Sequence, residues 1–249
     1  MEFVPLYISA NHLGLKRVVF DPVRKVRILL NGVTRHGMES ADPERSGEPL
    51  AYYHRNGPLG DVFSSWQAPA GGGQVAIVGL GVGCMATYAQ PGQRFTFYEI
   101  DPGVAKIAVD PQYFTFLSRC RGTWEIVLGD GRAELEKVDD KQLDMIILDA
   151  FEDDRMPAHL VSDEAVHMYL RKLVDAGLLV LPVTNVHTAL QPEWRRLAAA
   201  EGCVCLARAD LDVSEAERLA GKLASHYAVI ARGEAAVAAL AKRPGWTVA

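Results

Sequence analysis

The sequence predicts an α/β fold, a methyltransferase-like, doubly wound Rossmann sheet preceded by a small N-terminal β-rich unit. Three observations carry that prediction. From Gln74 onward, short apolar runs alternate with helical stretches, the rhythm of parallel strands joined by crossover helices. The first run, Val75-Ala76-Ile77-Val78, is followed at once by Gly79, Gly81 and Gly83, a turn that permits close approach of a backbone or a ligand. The next run ends on the acid Glu99, about 20 residues beyond the first glycine, where a carboxylate meets ribose hydroxyls in nucleoside-binding half-sheets. Residues 1–60 are expected to form the β-rich unit with a pocket segment, and residues 61–249 the Rossmann-like unit.

Taken in order, Arg17 to Phe20 and Lys25 to Leu30 flank Asp21-Pro22 as a hairpin that ends at Asn31-Gly32. Residues 33 to 60 read as a polar, turn-rich segment carrying Arg35, His36 and the adjacent rings Tyr52, Tyr53 and His54. Those rings suit either a pocket wall or a wedge between the two units. After the glycines comes a curtailed helix, ended by Pro91-Gly92. Arg94 to Ile100 is the second strand, and Pro102 to Val109 a helix with proline at its first position. Trp124 to Leu128 and Leu143 to Leu148 are the third and fourth strands, ending at Asp130 and Asp149. A helix from Ser162 to Leu173 opens on a Ser/Asp/Glu cluster. Leu178 to Leu181 is the fifth strand and Pro192 to Glu201 a helix. Cys203 to Ala207, a helical Ser214 to Lys222, the strand Tyr227 to Ala231 and an alanine-rich helix complete the order, with the late strand a candidate for antiparallel pairing.

Bulk properties narrow the class. The 249 residues are 49% hydrophobic and 23% charged, an ordinary globular composition able to bury a full core. A formal charge of −5 with no Lys/Arg block argues against a nucleic-acid partner. No apolar run has the length of a membrane span, and the opening MEFVPLYISANHL has no signal-peptide core. Cys84, Cys120, Cys203 and Cys205 form no C-x-x-C pair, so reduced thiols in a cytoplasmic protein are expected. The histidines, His159 and His167 among them, lack metal-ligand spacing, and no metal is expected.

Ligands of open α/β sheets lie beyond the carboxyl ends of the strands. The glycines follow G-x-G-x-G, with Cys84 where a dinucleotide fingerprint has its third glycine. That spacing favours nucleosides of the S-adenosylmethionine type, which carry no pyrophosphate. Asp130, beside Gly129, suits an acceptor for an adenine amino group, and it equally suits a helix N-cap. Asp149 opens the stretch DAFEDDRMP, which places Asp149, Glu152, Asp153 and Asp154 close together. Such a patch fits a cationic substrate, and one of its carboxylates can take a proton from an amine.

VAIVGLGVG, FTFYEIDP, VLGDGR and DMIILDAFEDDRMPAHL, with HG and EPLAYYHRNGPLGDVF upstream, resemble the spermidine synthase-like (polyamine aminopropyltransferase) family. The resemblance is to the bacterial branch whose loop reads DAFSSD-x-[IM]-P-x-HL, and it runs from about residue 27 to the C-terminal strand. It implies decarboxylated S-adenosylmethionine as aminopropyl donor, a small amine as acceptor, and a homodimer. It implies nucleoside binding by Gly79, Gly81, Gly83, Glu99, Asp130 and Gly131. It makes Asp149 the catalytic aspartate and Asp154 the second acid of a D-x-x-D element, here with two extra residues between them. Acceptor binding falls to Tyr52, Tyr53 and His54; the glutamine that the family places after the N-terminal hairpin has no clear counterpart, and Arg35 or His36 stands nearby. One departure stands out: after the tyrosines the family carries an acid, and this chain has His54-Arg55.

Two other functions share these features. An S-adenosylmethionine-dependent methyltransferase would use the same glycines, Glu99 and Asp130, with Arg35, His36 or Arg55 meeting the methionine carboxylate. A non-catalytic nucleoside-binding homologue would also keep them.

Overall fold

The computed structural model describes residues 3–151, 156–183 and 191–249. Four antiparallel strands open the chain: β1 (Val4–Asn11), β2 (Gly14–Asp21), β3 (Val26–Asn31) and β4 (Thr34–Ser40), hydrogen-bonded in that order. The expected hairpin is the centre of this sheet, since β2 pairs Val18 with Leu29 and Val19 with Ile28 of β3. Part of the polar segment expected from residue 33 is therefore strand. The polar residues of β4 misled the pattern because its acid, Glu39, is fully buried and bonded inside the protein.

Helix α1 (Pro58–Ser65), with proline in its first turn, crosses the point at which the sequence divides the chain. Then follow β5 (Gln74–Val78), a 3-10 turn (Cys84–Tyr88), β6 (Arg94–Glu99), α2 (Pro102–Val109), β7 (Thr123–Leu128), α3 (Gly131–Glu136) and β8 (Leu143–Leu148). The glycine loop thus leads into five residues of 3-10 helix, where its composition predicts a curtailed helix. A 3-10 turn, Ala158–Leu160, precedes α4 (Asp163–Lys172) and β9 (Leu173–Pro182). The chain closes with α5 (Gln191–Ala200), β10 (Val204–Asp210), α6 (Glu215–Leu219), β11 (Ser225–Ala231), α7 (Glu234–Ala241) and β12 (Thr247–Val248).

The large sheet has the order β12-β10-β11-β9-β8-β5-β6-β7. Strands β5 to β9 are parallel, while β11 joins β9 antiparallel and β10 pairs antiparallel with both β11 and β12. Alternation within the strands feeds two cores. Ala76, Val78, Ile146 and Leu148 pack with Leu135, Tyr169 and Trp194 from α3, α4 and α5. Val75, Ile77, Met145 and Ile147 face Leu59 and Val62 of α1 and Leu240 of α7. Both faces are therefore covered, and β5 and β8 are nearly continuous apolar runs.

The small sheet is locked to the large one. Val18 and Leu29 pack with Val82, Ile107 and Phe114. Lys16, with no exposed surface, forms a buried ion pair with Asp101. Asn11 Nδ2 donates to the same aspartate at 2.7 Å. Glu39 accepts from the amides of Gly47 and Thr115, both at 2.9 Å. This second buried acid pins β4 to the loops beside the glycine turn.

Candidate functional site

The chain leaves β5, builds β6 and β7 to one side, and returns as β8 on the other. The carboxyl ends of β5 and β8 therefore meet at the point where strand order reverses, the usual crevice of such sheets. Across this edge stand, strand by strand, Asp130 after β7, Glu99 ending β6, Gly79 after β5 and Asp149 after β8. Three strand intervals separate the outer two, about 14 Å at the usual spacing.

The three glycines all have positive φ, +101° at Gly79, +54° at Gly81 and +77° at Gly83. Neighbouring protein fills the space a side chain would need. A Cβ on Gly79 would lie 2.5 Å from the Asp149 carbonyl oxygen, and one on Gly81 2.4 Å from that of His36. The glycine turn is thus pressed between β4 and the end of β8. The Asp149 amide donates to the Val78 carbonyl at 2.8 Å and closes the seam.

Glu99 is 8% exposed. One oxygen accepts from the Leu80 amide at 3.0 Å and the other from the Asp101 amide at 2.8 Å. Burial pushes its pKa up, and these amides pull against that rise. Each oxygen keeps a second lone pair. Asp130 caps α3 by accepting from Ala133 N at 2.9 Å, and its other oxygen pairs with His159 Nε2 at 2.8 Å. Gly131 is glycine for a local reason: its Cβ would meet Val78 Cγ1 at 2.4 Å.

Asp149 and Tyr53 form the centre of the crevice. Tyr53 Oη donates to Asp149 Oδ2 at 2.7 Å, and both line a narrow, closely packed crevice with Gly79, Leu80 and Cys84. Desolvation raises the Asp149 pKa to about 7, against the lowering effect of the Tyr53 bond. Tyr53 in turn is raised well above the usual phenol value, by burial first and then by the Asp149 charge. The aromatic segment thus serves as pocket wall through Tyr53, whereas Tyr52 is 38% exposed and meets Tyr53 edge-on. Tyr53 is held from behind, because the Tyr88 hydroxyl donates to its carbonyl. Tyr88 stacks on Phe63 at 4.3 Å.

The cation after the tyrosines is taken up within the chain. Arg55 Nε donates to Glu48 at 2.8 Å, and its guanidinium lies 5.5 Å over the Tyr88 ring. His54 has its pKa lowered by burial and by Lys222, so it is neutral near pH 7. Arg35 Nε is buried and without a hydrogen-bond partner, and the His36 carbonyl abuts Gly81. Glu152, Asp153 and Asp154 lie outside the described residues. No group of His, Cys, Asp and Glu suited to a metal occurs among the described residues, and no described helix is long and apolar enough to cross a membrane.

Sequence reasoning missed Tyr88, Glu39 and the use of His159. Tyr88 carried no signal beyond an aromatic near the glycines. His159 stands inside the PAHL of the acidic-loop motif, which by itself gives no sign of a bond to Asp130. Glu39 was hidden by its charge, which reads as surface.

No protein-family model and no curated protein matches the chain. Solved structures do. A probable spermidine synthase from Corynebacterium glutamicum ATCC 13032 superposes with a TM-score of 0.67 at 16% identity, covering 97% of this chain and 90% of that one. Spermidine synthase from Thermotoga maritima gives 0.65 at 15% identity, over 95% and 75%. A spermidine synthase in complex with the transition state analogue AdoDATO gives 0.65 at 13% identity, over 95% and 76%. From its N-terminal antiparallel sheet to its last strands, this chain has the spermidine synthase fold.

Proposed function

We propose that the protein is an aminopropyltransferase, using decarboxylated S-adenosylmethionine as donor and a small amine as acceptor. The observation that carries this reading is the Asp149–Tyr53 pair in the crevice beside the glycine turn. A carboxyl that titrates at about 7 is matched to taking a proton near neutral pH. The protonated acceptor would give one proton to Asp149. Its nitrogen lone pair then forms the bond to the methylene carbon next to the sulfonium, and the carbon–sulfur pair returns to sulfur, leaving neutral methylthioadenosine. Tyr53 orients the carboxylate for this exchange, and alignment supplies much of the rate because the sulfonium is already activated.

Glu99 and Asp130 are assigned to ribose and adenine by their places along the same edge, and Asp154 to the second acid. The likeness in fold to a spermidine synthase solved with AdoDATO supports the donor class. For assembly we propose a homodimer: β1 is an edge strand with Val4, Leu6 and Ile8 more than 40% exposed, a surface that a second copy would cover.

One observation favours a second reading, methyl transfer from S-adenosylmethionine. Arg35 lies on β4 beside the glycine turn, and no acid pairs with it among the described residues, which suits a donor that keeps its carboxylate. Incubation with each donor and a panel of mono- and diamines, read by mass spectrometry, separates the two. Gain of an aminopropyl mass from the decarboxylated donor supports the first reading. Gain of a methyl mass replaces it with the second, and no transfer with either donor rejects both.

A further inference from the structure

Asp130 makes its two bonds with different oxygens. Oδ1 accepts from the Ala133 amide, which lies inside the cap of α3, and Oδ2 accepts from His159. A carboxylate only accepts, so His159 Nε2 carries the hydrogen. The backbone around this histidine is tied down as well. Arg132 Nη1 donates to the His159 carbonyl at 2.7 Å and to Ser162 Oγ at 3.3 Å. The imidazole is therefore delivered to Asp130 by a fixed frame. The side chains are 49% and 36% exposed, so the contact opens to solvent on the ligand edge of the sheet.

We propose that His159 is an internal competitor for base recognition: its imidazole holds the Asp130 oxygen that an adenine amino group would use, and an adenine nucleoside must displace it. The inference rests on the nucleoside-binding reading above. With Oδ1 committed to the cap, Oδ2 is the oxygen turned outward to a donor. A base with an exocyclic amino group replaces the imidazole N–H by its own. A base without one leaves the His159–Asp130 pair in place and gains nothing there. His159 thereby lowers affinity for adenine nucleosides without supplying a contact of its own.

The test is calorimetric titration of methylthioadenosine, and of its analogue lacking the 6-amino group, into the wild-type protein, His159→Ala and His159→Gln. Thermal melting checks that each variant is folded. A single partly exposed hydrogen bond is worth about 1 kcal/mol, so His159→Ala should bind methylthioadenosine up to about fivefold more tightly. Its affinity for the deamino analogue should not change. Glutamine keeps an N–H for Asp130, so His159→Gln should behave as wild type. Wild-type binding of methylthioadenosine with no tightening, or with weakening, in His159→Ala overturns the inference and leaves the nucleoside site standing. Absence of binding by either nucleoside to every folded variant removes the nucleoside-binding reading, and this inference with it.

Discussion

Replacing Asp149 by asparagine should stabilise the folded protein at alkaline pH while removing catalysis. In the native protein this carboxyl titrates at about 7 instead of 3.8. Each pH unit of that rise corresponds to about 1.4 kcal/mol, so holding the group ionised in the crevice costs about 4 kcal/mol. Between about pH 4 and pH 7 the native state keeps a proton that the unfolded chain has already released. Stability therefore falls as pH rises through that window, and it levels off above about 7. Asparagine cannot ionise, and its oxygen still accepts the Tyr53 hydroxyl. The stability difference, variant minus wild type, should grow by about 2 kcal/mol from pH 5 to pH 7 and by only about 0.4 kcal/mol more up to pH 9. Urea unfolding of both proteins at these three pH values measures it directly. In parallel, wild-type kcat/KM should rise with a limb near pH 7, and the variant should lose on the order of 10²- to 10⁴-fold in rate. A stability difference that stays flat from pH 5 to pH 9 would refute the perturbed carboxyl. Unchanged turnover would refute its role as base.

Three further outcomes follow from the same geometry. Tyr53→Phe removes a hydrogen bond that favours the ionised carboxylate, one worth about 1.5–3 kcal/mol when charged. The kcat/KM limb should then move upward by about one to two pH units, which a pH–rate profile detects. Gly81→Ala adds a Cβ 2.4 Å from the His36 carbonyl at φ +54°. It should cost about 2–4 kcal/mol of stability, read by urea unfolding, combining the left-handed penalty with overpacking. Lys16→Met strands a buried Asp101, for about 3–5 kcal/mol of lost stability, and adding Asp101→Asn should recover most of it. Failure of the double variant to recover would assign the loss to packing of the lysine stem.

Sequence and fold divide the explanation between them by range. Local rules sufficed wherever a signal was short. The apolar runs of β5, β6 and β8 announce buried parallel strands, because a strand covered on both faces has no polar side. Pro102 opens α2 and Ser162 caps α4 where composition places them, since capping depends on neighbours within one turn. The positions of Gly79, Glu99, Asp130 and Asp149 at strand ends follow from the same periodicity. β4 escaped because Glu39 is satisfied by amides from distant loops, and a local window cannot count partners that are remote in the chain.

The chain's own letters were enough to establish the alternation of strands and helices, the glycine turn and the acids at the sheet's carboxyl edge. Only tertiary structure decided what those acids touch. Tyr53 reaches Asp149 from 96 residues away, His159 reaches Asp130 from 29, and Lys16 reaches Asp101 across the two sheets. A carboxyl group's basicity depends on its burial and its partners, and both are set by the packing of segments that lie far apart along the chain.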